Sequence, residues 1–214
     1  VSVVANVLDL ERIKQIYPVF VAALFLIALV AFQPELRRAL IRLGAATWFG
    51  PSGREFGRVI DEVVEAVIYL SKNKIGALIA FERSTEFGGL MDSACHLDAE
   101  VSKELILTIF WPGSALHDMG VIISQGRLAA AAVQFPLTES EGLDASLGSR
   151  HRAAIGLSQD SDALIVVVSE ETGTISLVEN GVMERHLTGE TLRQLLREKV
   201  GEATRSTERI EVTS

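Results

Sequence analysis

Two apolar runs, IGALIAFE (75–82) and DALIVVVS (162–169), set the strongest limit on what this chain can fold into. Neither alternates polar with apolar residues. A strand that is apolar along its whole length is buried on both faces, so it belongs inside a layered α/β domain. The remaining pattern supplies the layers. Phe56, Val59, Ile60, Val63, Val64, Val67 and Ile68 recur at helical spacing and predict a surface helix with one buried stripe. A helix is expected from about Ala99 to Phe110, ending before Pro112 as proline requires. VIIS and LAAAAVQF read as strands joined by a tight turn at Gln125-Gly126. An acidic loop follows (136–147), then a helical LGSRHRAAIGLS, the strand DALIVVVS, the turn EETG and the strand TISLVEN. Gly181 turns the chain again, Thr188 is placed to cap a last amphipathic helix over TLRQLLREK, and the polar tail from Glu202 is expected to be unstructured. The expected class is α/β, a mixed and mostly antiparallel central sheet flanked by helices.

Tyr17 to Phe32, YPVFVAALFLIALVAF, is apolar on every face and carries no charge. It is slightly shorter than the ~20 residues of a spanning helix. Arg37, Arg38 and Arg42 follow at once, as they do on the cytoplasmic side of a membrane span, although Arg12 and Lys14 on the other flank weaken the asymmetry. The segment reads as a transmembrane helix, with a buried core helix as the alternative. Val1 in place of methionine leads to further upstream sequence being expected. WFGPSG (48–53) marks a linker, so the chain divides into a membrane anchor and juxtamembrane helix (1–50), a folded domain (51–200) and a tail (201–214). A mean hydropathy of +0.30 fits a soluble domain with something greasy attached. A net charge of −8 argues against a protein that grips a nucleic-acid backbone. The single cysteine, Cys95, excludes an internal disulfide and reads as a packing residue.

Three polar clusters stand beside expected strand or helix ends. Gly148, Ser149, Arg150, His151 and Arg152 open a helix, where free N–H groups and guanidinium forks suit phosphate. Glu170-Glu171 closes a buried strand, and an acidic pair there can hold Mg²⁺ or Mn²⁺. His117-Asp118 precedes the strand VIIS. Each taken singly reads equally well as a solvated turn or helix start. Together they sit where α/β ligand sites collect, and they suggest a metal-assisted nucleotide-phosphate site. No Walker loop and no GxGxxG is present.

The strings FQPELRRAL after the apolar helix, LHD-x-G-VII, LGSRHRAAIGLS and DALIVVVSEETGTIS resemble the membrane-bound type of bacterial diadenylate cyclase, over most of the chain from about Val19 to Lys199. The resemblance implies condensation of two ATP into cyclic di-AMP with release of pyrophosphate, using divalent Mn²⁺ or Mg²⁺. It implies that Asp118 helps activate a ribose 3′-hydroxyl, a job that needs a nearby carboxylate or metal. Arg150, His151 and Arg152 would meet the triphosphate, beside Gly148 and Ser149; Ser149 stands where the family usually has threonine. Glu171, Asp118 and His117 would be the metal ligands. Gln134, Phe135, Pro136 and Leu137 would form the adenine-side loop, and Gln134-Phe135 departs from the aromatic residue common there. The two-fold symmetric product calls for a homodimer with two sites facing each other. The implied location is the cell membrane with the catalytic domain in the cytoplasm, open to a regulatory protein partner.

One departure divides function from decay. The family pattern after the aspartate is Gly-Ala, and this chain has Met119-Gly120. With a positive φ, methionine would cost about 1–2 kcal/mol. Alternatively Met119 points into the core, leaving Gly120 to keep the strand open to the nucleotide. An active cyclase and a catalytically silent sensor of ATP or cyclic di-AMP are therefore the two competing readings.

Overall fold

The computed structural model describes residues 17–24, 53–138 and 148–211. Contacts divide the chain into two compact units, Val1–Gly50 and Pro51–Ser214. In the first unit, residues 17–24 form a helical segment (α1) whose side chains are all exposed. The rest of the expected membrane helix and the arginines after it lie outside the described residues. Among the described residues no helix is long and apolar enough to cross a membrane.

The second unit holds seven strands and five helices among its described residues. These are α2 (Gly53–Lys72), β1 (Ala77–Phe81), α3 (Gly88–Met91), β2 (Cys95–Glu100), α4 (Lys103–Phe110), β3 (Gly120–Ser124), β4 (Arg127–Val133), α5 (Ser149–Gln159), β5 (Leu164–Val168), β6 (Ile175–Glu179), β7 (Val182–Arg185) and α6 (Gly189–Glu211). One sheet contains all seven strands in the order β2-β4-β3-β1-β5-β6-β7. Only β1 and β3 pair in parallel; every other neighbour is antiparallel. The two apolar runs of the sequence are β1 and β5, side by side in the middle.

Alternation along the strands builds two cores, one on each face. Ile79, Phe81, Val121, Ile123, Val166, Val168 and Leu177 pack with Val63, Val67 and Leu70 of α2, Ile106 and Phe110 of α4, and Leu192 and Leu196 of α6. Leu78, Ala80, Ile122, Ile165, Val167 and Val178 face the other way, onto Ala154, Ile155 and Leu157 of α5. Two tight turns fix the hairpins. Gln125 and Gly126 both have positive φ, as do Asn180 and Gly181, the geometry that matches strand twist in a two-residue loop.

Five expectations need correction. The helix expected from Ala99 starts at Lys103, with the Ser102 hydroxyl accepting from the Leu105 N–H at 3.3 Å, and residues before it form the strand β2. The polar loop RSTEFGGL contains the short helix α3. β7 follows Gly181 where only a turn was read. Cys95, read as a packing residue, is exposed on the edge strand β2. The last helix is capped by Thr188, whose hydroxyl accepts from Thr191 N–H at 3.2 Å, and runs through Glu211, past the expected start of the tail. Residues 139–147 of the acidic loop lie outside the described residues.

Candidate active site

Strand directions bring the three polar clusters together. β1 and β3 run side by side and β5 runs against β1, so the starts of β1 and β3 and the end of β5 share one edge of the sheet. The end of β4 joins them, since Gly120 pairs with Val133. Arg150, on the first turn of α5, spans this edge. Its Nη1 pairs with the Glu170 carboxylate, and its Nη2 donates to the His117 carbonyl at 3.4 Å. The guanidinium lies over Gly76, where a Cβ would meet it at 2.9 Å and the Glu170 Cβ at 3.1 Å. Glycine before β1 is what allows this close approach. One arginine therefore ties the phosphate-type helix start to both the acidic turn and the His-Asp turn.

A small cleft runs between residues 148–151 and 168–171, walled by Ser149 and Arg150 on one side and Glu170 and Glu171 on the other. Gly148 is the N-cap of α5 and provides no side-chain hydrogen bond. The His151 and Arg152 N–H groups turn back to the Gly148 carbonyl at 3.1 and 3.3 Å, and among the described residues nothing accepts from the Ser149 or Arg150 N–H, the two that can meet an anion. Arg150, His151 and Arg152, expected to meet phosphate together, occupy different environments. Arg150 reaches across the edge, Arg152 is exposed, and His151 is 5% exposed with its Nε2 buried and without a partner among the described residues. Burial lowers the pKa of His151 below the ordinary 6.5; the charge of Arg185 lowers it further, and Glu171 opposes both.

At the His-Asp turn, His117 Nδ1 faces the Ser114 carbonyl, and Nε2 lies 3.1 Å from Asp118 Oδ1. When Nδ1–H donates to that carbonyl, Nε2 is left with a lone pair beside a carboxylate oxygen. Two acceptors facing each other suit a cation or a proton between them, and a backbone carbonyl behind the ring is the usual support of a metal-binding histidine. Among the described residues no three His, Cys, Asp or Glu side chains form a ready cation cage. His117 and Asp118 form a pair, with Glu171 on the neighbouring turn.

Both explanations offered for Met119 fail. Its φ is not among the positive ones, and its side chain is 41% exposed, outside the core. Gly120 has a packing role instead: a Cβ there would strike the Phe135 ring at 2.6 Å. Phe135 is a core residue under Gly120, whereas Gln134 and Leu137 of the same loop are exposed and Pro136 is half-buried. Gly156 holds this loop to α5, since a Cβ there would meet the Pro136 carbonyl oxygen at 2.2 Å. The sequence reading missed Gly76 altogether, and it named Glu170 only as half of an acidic pair, without the arginine that Glu170 holds. A glycine directly before a buried strand was the available signal for the first.

A helix start open to anions, joined by an arginine to carboxylates at the end of a two-faced sheet, defines a nucleotide-binding α/β domain. The family model described as "DisA bacterial checkpoint controller nucleotide-binding" matches residues 64–183. The chain belongs to that family, the diadenylate cyclases, enzymes of the nucleotidyltransferase class. It is 42% identical over 187 residues to the cyclic di-AMP synthase CdaA of Bacillus subtilis, a match covering 86% of this chain and 68% of that one. A diadenylate cyclase of Listeria monocytogenes is 41% identical over 176 residues, with 80% of this chain and 64% of that one covered. In structure, the chain is similar to a double mutant of DacA from Staphylococcus aureus, with a TM-score of 0.65 and 42% identity, over 66% of this chain and 95% of that one. A hypothetical membrane spanning protein from Bacillus cereus matches with a TM-score of 0.58 and 43% identity, over 60% and 63% of the two chains.

Proposed function

We propose that the chain condenses two ATP molecules into cyclic di-AMP and two pyrophosphates, at a metal-assisted site formed between two facing protomers. The observation that carries this reading is the Arg150 bridge, which brings the anion-binding helix start, Glu170 and the His117-Asp118 turn to one edge. ATP would lie with its phosphates on the first turn of α5 and on Arg150. Arg150 Nη1 would then donate to phosphate oxygens in place of the Glu170 carboxylate. Asp118, 80% exposed, is free to take the proton of a ribose 3′-hydroxyl as that oxygen attacks the α-phosphorus of the facing nucleotide. Pyrophosphate leaves, and the same step on the other side closes the ring. Two-fold symmetry of the product requires the second site to be an identical one.

His117 Nε2, Asp118 and Glu171 fit Mn²⁺ or Mg²⁺, ions that take one or two protein ligands plus substrate phosphate oxygens. Bound there, the ion would lower the charge barrier at the α-phosphate and the pKa of the hydroxyl. Names among the relatives, with the apolar run 17–32 and its flanking arginines, support attachment to a membrane with the catalytic unit on the cytoplasmic side, within reach of a regulatory protein. Because Met119 carries no positive φ, backbone strain gives no ground for a silent site.

The test is incubation of the full chain with ATP and either Mn²⁺ or Mg²⁺, with chromatography of the products. Cyclic di-AMP and pyrophosphate are expected from the wild type and not from Asp118→Asn. ATP binding without product in either metal would instead make the chain a sensor, and the reading offered here would fall.

A further inference from the structure

His151 belongs to the arginine-rich first turn of α5, yet its outer ring nitrogen is sealed inside the protein. Nε2 is buried and has no hydrogen-bond partner among the described residues. A second buried side-chain atom shares that condition on the same side of the sheet: Ser176 Oγ, on a residue with 0% exposure. Ile175 and Leu177 of β6 belong to the core under α2, α4 and α6, and Val178 belongs to the core under α5. Strand alternation therefore turns Ser176 toward α5.

The two residues are at the same level. Ser158, near the end of α5, accepts a hydrogen bond from the Gly181 N–H at 3.0 Å, which fixes the end of the helix over the β6–β7 turn. Two helical turns back, about 11 Å, stands His151. Three residues back along β6 from Glu179, about 10 Å, stands Ser176. Directly across from Ser176 on β7 is Arg185, whose charge His151 feels. With a helix packed about 10 Å above a sheet, an imidazole from above and a serine from below would come within reach of one bridging water, which needs two or more polar partners.

We propose that His151 is a positioning residue: its Nε2 is linked through one internal water to Ser176 Oγ, and this link holds the first turn of α5, with Arg150, in register over β6. The inference rests on the nucleotide-binding reading of that turn. It assigns Ser176 a part in nucleotide affinity although the residue has no surface. Left unpaired, two buried polar atoms would each carry a desolvation cost that a native core rarely tolerates.

The full chain is labelled with ¹⁵N-histidine and compared with Ser176→Ala and Ser176→Thr. Three quantities are read: the His151 ring-nitrogen shifts, the Kd and KM for ATP, and the melting temperature. Ser176→Ala is expected to move the Nε2 resonance, lower the melting temperature by a few degrees and weaken ATP binding roughly fivefold, with kcat within about twofold. Ser176→Thr, which keeps the hydroxyl, should restore both the resonance and the affinity. An unmoved resonance in Ser176→Ala overturns the link. So does a moved resonance with unchanged ATP affinity, because the link would then position nothing. A wild-type chain that binds ATP without making product would sink the cyclase reading alone, since the resonance and Kd still decide this one.

Discussion

The two ends of the sheet use the same kinds of residue and put them to opposite use. At the far end, Arg83 and Lys199 both pair with Glu179, at 2.8 and 2.5 Å, and Arg83 also donates to the Asp162 carbonyl. The Asp162 carboxylate accepts the N–H groups of Ser84 and Thr85, each at 3.0 Å. That end is closed: the Glu179 side chain is only 20% exposed, and each of its carboxylate oxygens has a cation. At the site end Asp118 is 80% exposed and the cleft between 148–151 and 168–171 is bordered by two adjacent carboxylates, whereas a buried Nε without a partner among the described residues is common to Arg83 and Arg150 and does not separate the ends. Charges at the closed end hold strands, loop and α6 together. Those at the open end are left for a ligand to complete.

The comparison predicts a clean crossover between two substitutions. Asp118→Asn should cut cyclic di-AMP formation by about 10²–10⁴-fold, the scale of a lost general base, while leaving the melting temperature in place. Glu179→Gln should do the reverse: about 1–2 kcal/mol of stability lost in denaturant titration, with KM and kcat for ATP unchanged. If Glu179→Gln reduced turnover as strongly as Asp118→Asn, the two ends would not be separable. Between these lies Gly156→Ala. Its Cβ collides with the backbone of Pro136 rather than with a side chain that can swing away, so about 1–3 kcal/mol of stability and part of the ATP affinity should go together. Calorimetric melting and ATP titration of the same variant check both.

How much of this was legible in the sequence depended on burial. β1 and β5 announced themselves because a strand covered on both faces is apolar throughout. The Gln125-Gly126 hairpin was legible from its turn residues. Both edge strands escaped notice. CHLDAE and VMER each have a neighbour on one side only and are mostly exposed, so neither carries an apolar pattern. In β2 the signal is broken further by a register shift between His96 and Ala99, with Asp98 at positive φ and paired with Arg127. At the site, Asp118, Arg150 and Glu170 could be named as chemically interesting, but their convergence depends on strand order. Nothing local to Gly76 says that a guanidinium from a residue far along the chain will lie on it. Met119 shows the opposite limit. The motif marked the position, and only backbone geometry could show that it is unstrained.

The smallest expected effect is in pH, and it separates the ends once more. His151 has a lowered pKa, mainly from burial and then from Arg185, so between 6.5 and its folded value the unfolded chain binds the extra proton. Stability should therefore decline as pH falls below about 6.5, a limb that His151→Gln removes. Burial would raise the carboxyls of Asp162 and Glu179. The Thr85 and Ser84 hydrogen bonds outweigh it for Asp162, and Lys199 and Arg83 do so for Glu179, so both end below their ordinary values. Their contribution is intact above the ordinary carboxylate range and is lost as pH falls through the lowered values, a second and more acidic limb. Lys199 has the opposite sign. Its hydrogen bond to Glu179 raises its pKa above 10.5, so its contribution is complete below 10.5 and disappears only as the solution becomes more alkaline still. A stability curve from chemical denaturation should show the first limb in Glu179→Gln, but a diminished second limb and no alkaline fall from Lys199. If His151→Gln erased the second limb as well, the closed end would be coupled to the open one, and the contrast between them would have to be abandoned.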